Sequence, residues 1–118
     1  GNLPDRSVNV VAPILTGQDL EFNHGYDYLS ADGRSEDVTV STWPTLTGAT
    51  VVLKFGGLTW SVVTVTAAHT IRIAIPRARW ADIPLSEGVI QYGYVIQATL
   101  TNTDVVDLMT GTIRVVKL

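Results

Sequence analysis

Thr50-Val51-Val52-Leu53-Lys54-Phe55-Gly56-Gly57-Leu58-Thr59-Trp60-Ser61-Val62-Val63-Thr64-Val65-Thr66 decides the fold class. Apolar side chains recur at every second residue, Val51, Leu53 and Phe55 before the glycine pair and Leu58, Trp60 and Val62 after it. A period of two is that of a pleated strand with one face buried, and β-branched residues fit it. Gly56 and Gly57 supply the positive φ values that a two-residue hairpin turn needs. The turn then sets the register, with Phe55 opposite Leu58, Leu53 opposite Trp60 and Val51 opposite Val62.

Moving outward, Ile71, Ile73 and Ile75 alternate with Thr70, Arg72 and Ala74, and Pro76 ends that strand because it has no N–H to donate. Arg77–Glu87 reads as an irregular crossover with room for one helical turn. From Val89 to Thr101 the positions Ile90, Tyr92, Tyr94, Ile96, Ala98 and Leu100 form one face of the longest predicted strand. Thr101-Asn102-Thr103-Asp104 is turn chemistry, since Asn and Asp tolerate the left-handed conformation. The returning strand, Val105–Val116, contains Gly111, which marks a bulge or a bend. Weaker strand signals cover Val8–Ile14, Asp19–Phe22 and Val38–Thr42. The expectation is an all-β chain of 7 to 9 short antiparallel strands with little helix, folded as one β-sandwich over residues 1–118. Residues 1–6 are expected to form an extended N-terminal arm.

Composition agrees with a folded core. The chain has 118 residues, 46% hydrophobic and only 16% charged, which suits one domain and leaves a surface poor in charge for neighbours to cover. The net charge is -3 and the eight basic residues are scattered, so a nucleic-acid footprint is not expected. Apolar runs fall short of the ~20 residues of a membrane helix, and Gly1–Val11 lacks the layout of a signal peptide. With no cysteine, disulfides, thiolate metal sites and a cysteine nucleophile are excluded.

Three groups of residues carry potential chemistry. Asp27, Asp32, Glu36 and Asp37 crowd one loop, but aligning Gly33 with the glycine of a calcium loop puts Tyr28 and Ser30 where carboxylates are needed. An acidic solvated loop is the favoured reading, and no metal or other cofactor is expected. His24 and His69 are the only imidazoles; a nucleophile elbow is absent and structural roles are favoured for both, so the chain is expected not to be an enzyme. Sandwiches also bind glycans on flat aromatic platforms. Trp60, Tyr92 and Tyr94 fall on core faces; Trp43 and Trp80 lie in irregular segments, where core plugs beneath loops are the favoured reading and exposed contacts to a partner or a host glycan the alternative.

The order of several short motifs resembles a known group. Gly17-Gln18-Asp19 precedes a strand, Leu46-Thr47-Gly48-Ala49 leads into another, Gly88 opens a Tyr-rich strand, and the motif Leu108, Gly111, Ile113 and Val115 comes last. This pattern, over roughly Gly17 to Lys117, resembles the immunoglobulin-like β-sandwich domains of phage tail and baseplate proteins, including the upper-baseplate family and the LtfC-like sandwich. The resemblance implies a non-enzymatic virion subunit in a symmetric assembly, contacting other tail, baseplate or capsid proteins, with head decoration and a glycan-binding adhesion module as alternatives. Strand edges and Gly1–Ile14 are the expected contacts.

Overall fold

The computed structural model describes residues 14–118. Among these residues eight strands form in chain order: β1 (Leu20–Asn23), β2 (Glu36–Thr39), β3 (Thr50–Phe55), β4 (Leu58–Trp60), β5 (Val63–Ala67), β6 (Thr70–Ile73), β7 (Gly88–Thr99) and β8 (Val105–Lys117). Two 3-10 segments, Ser30–Asp32 and Arg77–Asp82, are the only helical pieces among the described residues. The arm at residues 1–6 and nearly all of the strand expected at Val8–Ile14 lie outside the described residues.

The strands make a five-stranded sheet, β1-β8-β7-β3-β4, and a three-stranded sheet, β2-β6-β5. An immunoglobulin sandwich places B, E and D in one sheet and C, F and G in the other, with C′ beside C in variable-type domains. Here β2, β6 and β5 take the places of B, E and D, while β8, β7, β3 and β4 take those of G, F, C and C′. The fold is therefore an immunoglobulin-like β-sandwich. It departs from the expected antiparallel pairing at β1, which runs parallel to β8, Leu20 opposite Ile113 and Phe22 opposite Val115, with Leu15 bridged in parallel to Met109 ahead of it. The two strands are far apart in the sequence and meet without a hairpin, so no tight turn forces them antiparallel.

The hairpin register holds where β4 lasts, with Phe55 opposite Leu58 and Leu53 opposite Trp60. It does not extend to Val62, because β4 ends at Trp60 and the chain leaves the sheet there. Val62 and Val63 are both buried, which breaks alternation where the chain crosses from one sheet to the other. Gly56 and Gly57 sit at φ 54° and 79°, as a type I′ turn requires. Tyr92 lies directly over Gly56, where a Cβ would come within 2.7 Å of its ring.

The strand around Ile71 and Ile73 is β6, and Ile75 continues as a single bridge to Tyr28. All three isoleucines are buried. At the far hairpin the left-handed residue is Thr103, φ 72°, while Asn102 accepts the Asp104 N–H through its side chain at 2.9 Å. The bulge in β8 falls at Leu108, where the pairing passes from Gln97–Asp107 to Ile96–Met109. Gly111 therefore is not the bulge. It is a close approach: the Gln18 backbone lies where its side chain would be.

Tyr94 closes this seam. Its hydroxyl donates to the Gln18 carbonyl at 2.6 Å, and the residue is buried on the inner face of β7. Burial, and secondly the nearby Asp19 carboxylate, pushes its pKa well above the usual phenol value. A raised folded-state pKa means the stabilisation is complete below the unfolded phenol pKa and is lost as pH rises towards the folded one. In a spectrophotometric alkaline titration one tyrosine is expected to ionise only together with unfolding, and Tyr94→Phe to remove that late step. A titration in which every phenol ionises normally in the folded protein would contradict the geometry.

Candidate interaction surface

The two candidate indoles are not on the surface. Trp43 and Trp80 are 2% and 1% exposed. Each satisfies its N–H inside: Trp43 Nε1 donates to the Leu108 carbonyl at 3.1 Å and Trp80 Nε1 to the Tyr26 carbonyl at 2.6 Å. Burying an indole is favourable once its single donor is paired, and distant backbone carbonyls pair both. Both are core plugs, and the alternative in which Trp43 and Trp80 offer a glycan or partner an exposed platform is withdrawn.

Trp80 belongs to a run of aromatic contacts at one end of the sandwich. Its ring centroid lies 5.6 Å from Trp60 and 5.8 Å from Phe22, while Phe55 is 4.8 Å from Trp60 and Tyr28 4.9 Å from Phe22. The 3-10 segment Arg77–Asp82 positions it, and Asp82 holds the Trp60 indole N–H at 2.9 Å.

His24 serves the same end. Its Nε2 lies 2.9 Å from the Trp80 carbonyl and 2.7 Å from the Ile83 carbonyl, so that nitrogen carries the proton and donates to both. Its Nδ1 is enclosed and unpartnered among the described residues, as is that of His69. A general base needs a free nitrogen facing substrate. His24 instead ties β1 to the crossover.

The acidic loop is dispersed. Asp27 accepts the Arg77 N–H at 2.7 Å, and Asp37 takes both Nε and Nη2 of Arg72 at 2.8 and 3.0 Å. The hydrogen bonds from Arg72, and secondarily its charge, hold the Asp37 carboxyl below the usual carboxylate range. Asp32 and Glu36 are exposed to solvent. Among the described residues no three His, Asp or Glu side chains gather at metal-binding range.

What faces outward in an organised way is the outer side of the five-stranded sheet. Across its middle, Lys54 Nζ donates to Gln97 Oε1 at 3.0 Å and Gln97 Nε2 to Asp107 Oδ1 at 2.9 Å, linking β3, β7 and β8. On the same face lies an open depression of about 300 Å³ lined by Asp19, Leu20, Glu21, Gln91, Thr112 and Arg114. Glu21, Arg114 and Gln91 are direct cross-strand neighbours on β1, β8 and β7. Gly93 opposite Thr112 adds no side chain, which leaves the depression open. Exposed Val89 and Val105 stand at the two ends of this face.

Sequence reasoning passed over the depression. The solvent-face alternation of Gln91 and Gly93 was a usable signal, but bringing Asp19 and Glu21 beside Arg114 required the parallel pairing of β1. No protein-family model matches the chain, and no curated protein matches it.

Proposed function

We propose that this chain is a non-enzymatic structural subunit of a bacteriophage particle, of the tail or baseplate, which works by burying sandwich surface against neighbouring particle proteins. The phage setting rests on the motif order from Gly17-Gln18-Asp19 to Leu108, Gly111, Ile113 and Val115. The subunit role rests on one structural observation. His24, Trp43 and Trp80 are committed to backbone carbonyls inside the fold, while the outer sheet face is open to solvent and braced by the Lys54–Gln97–Asp107 ladder.

A braced face loses little side-chain entropy on docking, so contact area converts more fully into affinity. Short edges at β2 and β5 offer further main-chain pairing to neighbours. The test is mass spectrometry of purified particles followed by cryo-electron microscopy of those that contain the chain. The expected result is stoichiometric incorporation at the tail or baseplate. Density on the head would replace this reading with capsid decoration, and absence from particles would end it.

A further inference from the structure

The depression on β1, β8 and β7 holds fixed charges of both signs. Asp19 and Glu21 are anionic and Arg114 is cationic, and among the described residues none of the three lies within ion-pair distance of an opposite charge. A purely anionic ligand would meet two carboxylates, and a purely cationic one the guanidinium. An occupant that satisfies the site brings both signs in a matched order.

Such a group is present on this chain. The turn Asp32-Gly33-Arg34-Ser35-Glu36 exposes three alternating charges, Asp32, Arg34 and Glu36. It is held by its own backbone: Asp32 N–H and Arg34 N–H both donate to the Leu29 carbonyl at 3.1 Å, and Gly33 N–H to the Ser30 carbonyl at 3.0 Å, with Gly33 at φ 68°. The turn is thus pre-formed, which lowers the entropic cost of docking. Arg34, like the depression's charges, has no ion-pair partner among the described residues.

We propose that the Asp32–Glu36 turn of one copy docks in the Asp19–Glu21–Arg114 depression of the next. Arg34 enters between the two carboxylates, and Asp32 or Glu36 meets Arg114. The two patches differ, so the contact is heterologous and propagates head to tail, closing into a ring or extending as a fibre according to its rotation. This rests on the subunit reading above and deepens it by naming one contact through which copies of the chain would join.

The experiment is sedimentation velocity of the whole chain over a range of concentrations, at low and at high salt. Concentration-dependent association that weakens with salt is expected. Arg34→Glu and Glu21→Arg should each weaken association by at least about tenfold. An equimolar mixture of the two variants should recover it. The altered turn of the first variant then meets the altered depression of the second with both charges reversed, while the unaltered patches meet each other. Circular dichroism checks folding. If Glu21→Arg does not fold, Arg34→Glu mixed with Asp19→Arg gives the same decision.

A chain that stays monomeric at every concentration, association indifferent to Arg34→Glu, or a mixture that fails to recover would each overturn the proposal. Association in solution with absence from particles would sink only the phage setting. Incorporation into particles by a chain that shows no charge-swap rescue would sink only this contact.

Discussion

Gly111→Ala is expected to destabilise the domain by about 3 kcal/mol or more, the upper end of what one inserted methyl does in a packed interior. A Cβ at this position would overlap the Gln18 carbonyl oxygen and stand 2.6 Å from its carbon and 2.8 Å from the Gln18 nitrogen. The obstacle is main chain, not a flexible side-chain tip. It is also tethered, since Gln18 N–H donates to the Thr110 carbonyl at 3.1 Å and its carbonyl accepts from Tyr94. Relief therefore requires pulling Leu15–Gln18 off β8 and breaking the Tyr94 bond. Gly93→Ala on the neighbouring strand is the control, because the nearest atom to its Cβ would be 4.0 Å away and its φ is not in the left-handed region. That change should move stability by less than about 1 kcal/mol. Urea denaturation of both variants decides the matter, and similar midpoints for the two would show that the close approach is not as described.

Trp80→Ala should cost about 3–5 kcal/mol, the range for truncating a buried aromatic. The loss has three parts. The cavity opens among Phe22, Tyr28 and Trp60, the Tyr26 carbonyl loses its indole donor, and the 3-10 segment that His24 and Asp82 hold loses its anchor. Against a total stability of roughly 5–15 kcal/mol for a domain of this kind, the variant would be largely unfolded at modest denaturant. Trp80→Phe keeps most of the packing and loses the hydrogen bond, so its stability should fall between those of the unaltered chain and Trp80→Ala. A change of under about 1 kcal/mol for Trp80→Ala, read by urea denaturation, would mean that Trp80 is not the plug of this end of the sandwich.

The immunoglobulin order gives both residues their weight. Gly111 and Tyr94 sit where the segment leading into β1 joins β8, and Trp80 sits in the connection that carries the chain from β6 back to β7. One is the lateral seam of the larger sheet. The other closes the gap between sheets at one end.

Much of this was legible in the residues. The alternation of Val51, Leu53 and Phe55, of Ile71 and Ile73, and of Tyr94, Ile96 and Ala98 placed the buried faces correctly, because the strand period is a local property of the backbone. The Gly56-Gly57 turn gave the register of Leu53 with Trp60 for the same reason. Trp43 and Trp80 were left between core plug and exposed contact because neither lies in an alternating stretch. Their burial depends on Leu108 and Tyr26, carbonyls that no local pattern brings near. The candidate surface was missed on similar grounds, since Asp19 and Glu21 are separated from Arg114 by most of the chain.

By itself, then, the sequence determined the strongly alternating strands, their faces and the tight turns, all of which follow from steric preferences and burial within a few neighbouring residues, whereas the strand expected at Val38–Thr42 lies at Glu36–Thr39. Only the tertiary structure decided that β1 pairs parallel to β8, that the chain changes sheets between Trp60 and Val63, that Gly111 is a site of close approach, and that two indoles point inward. Each of these depends on contacts between distant segments, whose free energy exists only once both are held in place.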